Sequence, residues 1–343
     1  MGIGEGNVPK TNTLVFLGVS WVVLIDMVTK TEACLAILIA TKNRKHQLYK
    51  LLSSISNSSV LPSRVIIVYA GDSLLEIKSH FEGKLNIHLI YSYISSQTYQ
   101  KKLGVSNLLK SEKWVLFLDD DVTLEANTLK NLLDKYIYAE NMSSYVGFGL
   151  AIRNQETQKY KPIVRSLLAF TKLYSPTPGI ILSSGHPQAY LQETMGCEVV
   201  WLNGISAWRS DVLSNYGVHD LKTSYSAYED IIFSYSVSKV YKLFFGADVA
   251  VLSQNPTKSK SLTSEQFKSA SYIRYFFVDN NKELSKYSLL FSHFFRSVDF
   301  VFRGRDRSKI PFRIWLAAQI WFDLVRASIF MVNSKNLVNK RLF

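Results

Sequence analysis

Three consecutive aspartates, Asp119–Asp121, directly follow a strongly apolar run, Lys113–Leu118. Adjacent carboxylates repel one another unless a cation or hydrogen-bond donors lie among them. Mg²⁺ commonly binds one or two carboxylates together with the phosphates of a substrate. The cluster therefore predicts a metal–diphosphate site at the end of a strand. The alternative is an acidic turn that caps the next helix, near Thr123 or Glu125.

A second acidic group, Glu229 and Asp230, follows Tyr228 at the start of a predicted helix. A carboxylate pair at a loop–helix junction can supply a general base. Acidic residues in the first turn of a helix are also favourable through the helix dipole alone. The sequence leaves both interpretations of this pair open.

A third group, Trp201–Gly204, ends another apolar run. Gly204 would allow the backbone to approach a ligand closely, and an exposed Trp201 could stack on the face of a sugar. The alternative is that Trp201 and the nearby Trp208 both lie in the core, which is the commoner environment for tryptophan.

Further polar residues lie next to the predicted strands. Thr41 and Arg44 follow the first strand, Asp72 follows the second, and Lys101 and Lys102 precede the aspartate cluster. Cations at such positions could hold a diphosphate, and the Asp72 carboxylate could accept a hydrogen bond from a nucleobase. Taken alone, each cation is more typical of a solvated charge, and Asp72 fits a helix N-cap equally well.

These residues are positioned by apolar runs of strand length that alternate with segments of helical periodicity. The predicted strands are Cys34–Ala40, Arg64–Tyr69, Asn86–Tyr91 and Lys113–Leu118, and the predicted helices are Lys45–Ser56, Leu74–His80 and Thr98–Leu109. Continuous apolar strands separated by helices are typical of an α/β fold with a mostly parallel sheet covered on both faces. Ligands bind such sheets outside the carboxyl ends of the strands.

The second part of the chain continues this pattern less regularly. Its predicted elements are a helix at about Glu125–Tyr136, a strand Tyr145–Ile152, a loop-rich insertion Asn154–Met195, a buried strand Cys197–Leu202, a helix Asp230–Lys239 and a strand Lys242–Val251. We expect three regions: an N-terminal segment (1–32), a catalytic α/β domain (33–257) and a C-terminal helical region (258–343).

The composition is that of a folded protein, with 47% hydrophobic and 20% charged residues, and two cysteines are too few for a disulfide scaffold or a Cys-rich zinc module. Of the net charge of +13, residues 258–343 carry +10, from 16 Lys and Arg against 6 Asp and Glu. They also hold 17 of the 45 aromatic residues. A basic, aromatic tail indicates a polyanionic partner, either nucleic acid or an anionic membrane surface.

Within this tail, Pro311–Val332 has the pattern of an amphipathic, aromatic-rich helix. A cluster of cations lies just before it and in its first turn: Arg303, Arg305, Arg307, Lys309 and Arg313. This combination is typical of a helix that lies in a membrane interface. The alternative is a helix that packs on the α/β domain or on a second subunit. Near the other end, Leu14–Val28 is short for a membrane span and contains Asp26. It is a buried element, an interfacial helix or a weak anchor.

In order along the chain, the motifs are TKNR, GDS, QKKLG, LDDD, WLNGISAWRSDVL and YED. From Ala33 to Gln254, their order and spacing resemble glycosyltransferase family 2, which has the GT-A fold. The resemblance implies that Asp119 and Asp121 hold a divalent cation, Mg²⁺ or Mn²⁺, and the nucleotide-sugar diphosphate. Asp120 would share the ribose or metal contact. Asp230, beside Glu229, matches the catalytic base.

The resemblance also implies the remaining contacts. Thr41, Arg44, Asp72, Lys101 and Lys102 fall where the family binds the nucleotide. The donor–acceptor boundary would be formed by Trp201, Asn203 and Gly204. The chain departs from the family in three places. Leu252–Asn255 lacks the histidine that often ligates the metal after the last strand, and the QxxRW signature of processive synthases is absent. The second strand is followed by Tyr69–Asp72 rather than by an Asp one or two residues after the valine, which weakens Asp72 as the residue that reads the base.

We therefore expect an inverting glycosyltransferase that transfers one hexosyl or deoxyhexosyl group from a nucleotide-diphosphate sugar. By resemblance, its acceptor is a lipid-linked glycan of bacterial surface polysaccharide, at the cytoplasmic face of the plasma membrane. One alternative is a nucleic-acid-binding protein, although the aspartate cluster would repel a phosphate backbone. The other is a nucleotidyltransferase, although a Gly-rich phosphate loop is missing from the sequence.

Overall fold

The computed structural model of the protein describes residues 35–154, 161–190, 196–216, 228–255, 263–303, 307–329 and 334–342. The apolar run Leu14–Val28 lies outside the described residues, as does Arg305 of the basic cluster.

Strands of the described chain form one mixed sheet in the order β3-β2-β1-β4-β8-β6-β9-β5, with β7 paired to β9. Strands β1 to β4 are parallel, β8 lies antiparallel between β4 and β6, and β6 and β9 are parallel. The bounds are β1 Leu35–Lys42, β2 Arg64–Ala70, β3 Ile87–Tyr91, β4 Trp114–Asp119, β5 Val122–Leu124, β6 Tyr145–Ile152, β7 Cys197–Val199, β8 Ser206–Arg209 and β9 Lys242–Ser253.

The strand order changes direction between β1 and β4. From β1 the chain first adds β2 and β3 on one side, and it then crosses back to place β4 on the other side of β1. The two neighbours are in register up to Ala40 opposite Asp119, so both carboxyl ends open at the same point. In open α/β sheets such a switch point forms a crevice for ligands.

Helices cover both faces of the sheet. In β1, Leu35, Ile37 and Ile39 contribute to one apolar cluster, and Ala36 and Leu38 contribute to the other. This alternation is the period of two expected for a strand that is buried on both sides. The helices are α1 Lys45–Ser56, α2 Leu75–His80, α3 Gln97–Val105, α4 Thr128–Leu132, α5 Pro162–Phe170, α6 Ser210–Tyr216, α7 Glu229–Ser238, α8 Ser264–Asp279, α9 Lys286–Arg303, α10 Ile310–Ile329 and α11 Ser334–Leu342.

The predicted elements are largely present, but several bounds differ. The helix predicted over Thr98–Leu109 ends at Val105, and helix α5 lies within the segment predicted to be loop-rich, Asn154–Met195. The helix predicted from Glu125 begins only at Thr128, because Val122–Leu124 is still extended and pairs with β9. The strand predicted over Cys197–Leu202 stops at Val199, and the chain then forms a separate strand, β8, between β4 and β6. A three-residue edge strand and a strand that follows Gly204 carry too short an apolar pattern to be located from sequence.

The tail helices α8 to α11 share an apolar cluster of their own, with Phe267, Tyr275, Leu289, Ile320 and Leu324 among its buried members. A second cluster joins this tail to the α/β domain, because Ile273 and Phe277 of α8 pack with Ile231 and Ile232 of α7. The tail is therefore fixed against the helix that begins with Glu229 and Asp230.

Helix α10 covers most of the segment predicted to lie in a membrane interface. One side of α10 packs in the tail cluster through Leu316, Ile320 and Leu324. Its Asp323 is also buried and accepts a hydrogen bond from Tyr272 Oη at 2.6 Å. This side of α10 thus packs on the other tail helices rather than on the α/β domain, and aromatic side chains on the rest of α10 are exposed. Among the described helices, none is both long enough and apolar enough to cross a bilayer.

Candidate active site

An open cleft of about 410 Å³ lies at the carboxyl ends of β1 and β4. Its polar lining includes Thr41, Arg44 and the three aspartates Asp119–Asp121. The switch in strand order brings these residues together from positions almost 80 residues apart in the sequence. We call this region the acidic cleft.

The middle aspartate, Asp120, is turned inward. Its buried carboxylate accepts a hydrogen bond from Thr41 Oγ1 at 2.6 Å and another from Arg44 Nη1 at 2.9 Å. The Asp120 hydrogen bond and charge raise the pKa of Arg44 above its ordinary value. Asp120 therefore fixes the two loops to each other and leaves the outer aspartates to face the cleft.

Asp119 and Asp121 provide the two carboxylates that a ligand in the cleft can reach. Asp119 Oδ1 accepts a hydrogen bond from Gln97 Nε2 at 3.1 Å, and Asp121 is more exposed, 3.7 Å from Arg44 Nη1. Burial raises the pKa of Asp119, and although Lys101 opposes this shift, the neighbouring aspartates add to it. A cation beside Asp119 would relieve this excess of negative charge.

This donor set fits a hard divalent cation that completes its coordination with water and substrate phosphates, as Mg²⁺ commonly does. The described residues hold no cluster of three or more His, Cys, Asp or Glu side chains able to bind a metal. After β9, in the stretch where the sequence lacks a histidine, Gln254 donates from Nε2 to the carbonyls of Gln47 and Val122 at 3.0 and 2.9 Å. Gln254 thus fixes the loop that carries the aspartates.

Helix α3 places a buried cation beside the cleft. Gln100 Nε2 donates to the carbonyls of Thr41 and Val68, both at 2.9 Å, and so attaches α3 to the ends of β1 and β2. The next residue, Lys101, is buried, and its Nζ lies 2.9 Å from Glu229 Oε1. Burial alone would lower the pKa of Lys101, but Glu229, Asp119 and Asp230 raise it, so the ammonium remains charged.

Glu229 and Asp230 begin helix α7. The preceding Tyr228 has a left-handed backbone with φ of 66°, which turns the chain sharply into the helix. Burial and the adjacent Glu229 raise the pKa of Asp230 to about 6, against the opposing effect of Lys101. Its Oδ1 accepts a hydrogen bond from the Ile231 N–H at 2.9 Å. A carboxylate with a raised pKa is better suited to accept a proton from a substrate than one with the ordinary value.

A small cavity of about 30 Å³ adjoins the acidic cleft and contains Lys101, Asn203, Gly204, Glu229 and Asp230 in its lining. Two acceptors in this lining, Asn203 Oδ1 and Glu229 Oε2, are buried and have no hydrogen-bond partner. Unpartnered buried acceptors are costly unless a ligand supplies donors. Sugar hydroxyl groups are donors of this kind. We call this space the inner cavity.

Gly204 lies where the inner cavity and the acidic cleft meet. A Cβ at this position would lie 3.8 Å from both Asp119 Oδ1 and Lys101 Nζ. The hydrogen bond from Leu202 N–H to Ser234 Oγ, at 3.0 Å, ties this loop to α7.

The structure separates three predicted residues from this constellation. Trp201 is buried, stacks on Tyr190 and donates from Nε1 to the Gln188 carbonyl at 3.2 Å, so the core interpretation applies to its ring. Lys102 is exposed, on a different side of α3 from Lys101. Asp72 is exposed, and its N–H bonds to Asn43 Oδ1 at 3.1 Å.

Sequence reasoning assigned no role to Gln97 or Gln100, which hold Asp119 and the strand ends. Their spacing with Lys101, at i, i+3 and i+4, places all three on one side of a helix. Because this pattern lies next to the aspartate cluster, the sequence alone could have indicated that Gln97 and Gln100 belong to the site. Ser234 offered none, because a serine inside an apolar helix is common.

Comparison with known proteins gives a match in fold alone. No protein-family model matches the chain, and no curated protein matches its sequence. The structure of S. aureus TarS residues 1–349 is similar, with a TM-score of 0.51 and 14% identity over 85% of this chain and 81% of that chain. Its complex with UDP-GlcNAc gives the same values, and its complex with UDP gives a TM-score of 0.50 and 12% identity. The α/β fold that the sequence predicted is therefore confirmed, and it is the fold of these glycosyltransferase structures.

Proposed function

We propose that the protein is an inverting glycosyltransferase that transfers a hexosyl or deoxyhexosyl group from a nucleotide-diphosphate sugar to an acceptor hydroxyl. The observation that carries the proposal is that the acidic cleft and the inner cavity meet beside Lys101. The acidic cleft offers Asp119 and Asp121 to a metal–diphosphate. The inner cavity offers unpartnered acceptors beside a carboxylate whose pKa is raised to about 6.

In this mechanism the donor diphosphate occupies the acidic cleft and the sugar extends toward Gly204 and the inner cavity. A bound divalent cation at Asp119 and Asp121 would neutralise charge on the diphosphate leaving group. Arg44, at the cleft, and Lys101, at the junction, add fixed positive charge close to where the leaving oxygen becomes negative. Thr41 acts indirectly, by holding Asp120.

Asp230 then accepts the proton of the acceptor hydroxyl. The acceptor oxygen forms a bond to the anomeric carbon while the bond from that carbon to the diphosphate oxygen breaks, and the nucleoside diphosphate leaves with that electron pair. Because one displacement occurs, on the face opposite the leaving group, the anomeric configuration inverts. Glu229 is held by Lys101 and contributes charge and a hydrogen-bond acceptor.

The test is a screen of UDP-, GDP- and TDP-linked sugars, with UDP-GlcNAc among them, for release of nucleoside diphosphate with Mg²⁺ or Mn²⁺. Asp230→Asn should reduce release by about 10²-fold or more, because it removes the base, and should leave donor binding intact. The matched control is Asp134→Asn, an exposed carboxylate that pairs with Lys130 and lines neither the acidic cleft nor the inner cavity. A wild-type chain that binds none of these donors, or an Asp230→Asn variant with full turnover, would overturn the proposal.

We further propose that the acceptor is a lipid-linked glycan of bacterial surface polysaccharide and that the protein works at the cytoplasmic face of the plasma membrane. The +10 charge of residues 258–343 supports this location, because such a tail is attracted to anionic lipid. Nucleotide release that requires a glycan acceptor would favour this function over nucleotidyl transfer. Salt-sensitive binding of nucleic acid without donor binding would favour the nucleic-acid alternative instead.

A further inference from the structure

Helix α9 presents a continuous row of apolar side chains to solvent. Tyr287, Phe294 and Phe302 are 87%, 53% and 69% exposed, and Phe291 and Val298 between them are exposed as well. Their spacings of four, three, four and four residues place all five on one side of the helix. Exposed apolar groups of this extent mark an interaction site in a folded protein.

Helix α5 extends this row. Ile163, Leu167 and Phe170 are exposed, and no residue of this nine-residue helix is buried. The Phe170 ring contacts Phe291 of α9, with ring centroids 5.5 Å apart. So short a helix is marginal on its own and normally depends on packing of its apolar side. In the part of the chain that the structure describes, the apolar side of α5 is thus exposed. We call the exposed apolar residues of α5 and α9 the aromatic face.

The charges on and beside α5 are positive, whereas α9 carries one exposed carboxylate, Asp299, next to Val298. Lys161, Arg165 and Lys172 are exposed next to or within α5, and residues 161–190 contain no Asp or Glu. Aromatic groups flanked by cations match the interface of a bilayer with anionic lipids. A symmetric dimer through the same face would instead bring each copy's cations toward those of the other, which disfavours it.

The aromatic face is mechanically linked to the candidate active site. Arg274 of α8 donates to the carbonyl of Ser184, in the segment after α5, and to Ser292 Oγ of α9. Residues of α8 also pack on α7 just after Asp230, through the pairing of Ile273 and Phe277 with Ile231 and Ile232. The face and the proposed base are thus parts of one packed unit.

We propose that the aromatic face docks the protein on an anionic bilayer, with its aromatic side chains in the interface and the cations of α5 at the lipid headgroups. This inference rests on the proposed function for its purpose, since docking would bring the active site to a lipid-linked acceptor. It assigns docking mainly to α5 and α9, whereas the sequence pointed to the region of α10.

The experiment is co-sedimentation of the full chain with phosphatidylglycerol–phosphatidylcholine vesicles and with phosphatidylcholine vesicles. The double variant Phe294→Ser/Phe302→Ser should bind anionic vesicles about tenfold more weakly or worse, because two apolar groups no longer enter the interface. The matched control is Tyr93→Ser, since Tyr93 is 93% exposed but lies in the loop after β3. Arg165→Glu should weaken binding to the anionic vesicles alone.

Unchanged vesicle binding by the double variant overturns the inference, as does a loss caused only by Trp315→Ser on α10. Light scattering measures the oligomeric state of the wild type and of the double variant. If the wild type is a dimer, the double variant is a monomer and neither protein binds vesicles, the aromatic face binds a second copy of the chain and the inference is overturned. Because the assay contains no nucleotide sugar, a failed donor screen does not affect it. Far-ultraviolet circular dichroism of each variant checks that the chain is folded.

Discussion

Replacement of Lys101 by methionine tests whether one buried cation holds the candidate active site together. Methionine keeps an unbranched side chain of similar length and removes the charge. It leaves Glu229, Asp119 and Asp230 close together, with the ammonium that contacts Glu229 gone. The acidic cleft contains another cation, Arg44, but Arg44 is engaged by Asp120.

The expected cost follows from the burial of the pair. Both side chains of the Lys101–Glu229 ion pair are about 8% exposed, and their charged atoms are 2.9 Å apart. Removing one partner of such a pair typically costs about 3–5 kcal/mol of folding stability, because the other charge stays buried and uncompensated. Glu229 Oε2 already lacks a hydrogen-bond partner, so little remains to stabilise that carboxylate. The double variant Lys101→Met/Glu229→Gln should recover most of the loss.

The pH dependence of this loss has a defined sign. Asp119 and Asp230 already have raised pKa values, and Lys101 lowers both, so its removal raises them further. A carboxyl group whose pKa is higher in the folded than in the unfolded state makes stability fall as pH rises between those two values. The Lys101→Met deficit should therefore be smaller at pH 5 than at pH 8. Over that range the wild-type lysine stays charged.

Urea denaturation at both pH values, followed by tryptophan fluorescence, measures the effect. The matched control is Lys130→Met, which removes the exposed partner of Asp134 and should cost less than about 1 kcal/mol. A Lys101→Met variant as stable as this control, or one with the same deficit at pH 5 and pH 8, would refute the role of Lys101 as the buried counter-ion of this site.

Three further predictions concern the same elements. With an active donor, kcat/KM should rise with pH through about 6 as Asp230 loses its proton, and a pH profile of the wild type that is flat from pH 5 to 8 would contradict its role as base. The Gly204→Ala variant should fold normally, because the new Cβ makes only ordinary contacts. It should nevertheless reduce turnover, because the added methyl group narrows the junction beside Asp119 and Lys101; unchanged kcat/KM would argue against the proposed sugar position. Gly104→Ala should destabilise the fold by about 1–3 kcal/mol in urea denaturation, since its Cβ would come within 2.4 Å of the buried Leu38 side chain, and a neutral result would mean that α3 can move from β1.

The parallel part of the sheet was predictable because its strands are buried on both faces. Such strands are continuous apolar runs, and those before α1, α2 and α3 differ from their predicted bounds by at most two residues. Helix α1 has the predicted bounds, Lys45–Ser56. The short strands β5, β7 and β8 were not predictable in the same way, because pairing with distant strands decides whether three or four residues are extended.

Within the site, the sequence indicated the right segments better than the right side chains. Lys101 and Lys102 are chemically identical neighbours, and only the rotation of α3, fixed by Gln100, decides that Lys101 is buried. Trp201 likewise looked suitable for a sugar platform, but tertiary packing against Tyr190 buries it. In the tail, packing between helices likewise buries one side of α10, whereas the aromatic row of α9 is exposed.

The charge balance of the site leads to a last prediction, on metal dependence. The whole chain carries +13, but the two adjoining spaces are lined by more carboxylates than cations. The carboxylates are Asp119, Asp120, Asp121, Glu229 and Asp230, and the cations are Lys42, Arg44 and Lys101. With all five carboxylates ionised the balance is negative, and a diphosphate would be repelled by it. A divalent cation between diphosphate and carboxylates reverses this repulsion.

Nucleoside diphosphate should therefore bind at least about tenfold more weakly in EDTA than with Mn²⁺, a change that corresponds to about 1.4 kcal/mol. In Asp121→Asn this dependence should shrink, and calorimetry that finds equal affinity with and without Mn²⁺ in the wild type would show that the cations of the chain alone hold the nucleotide.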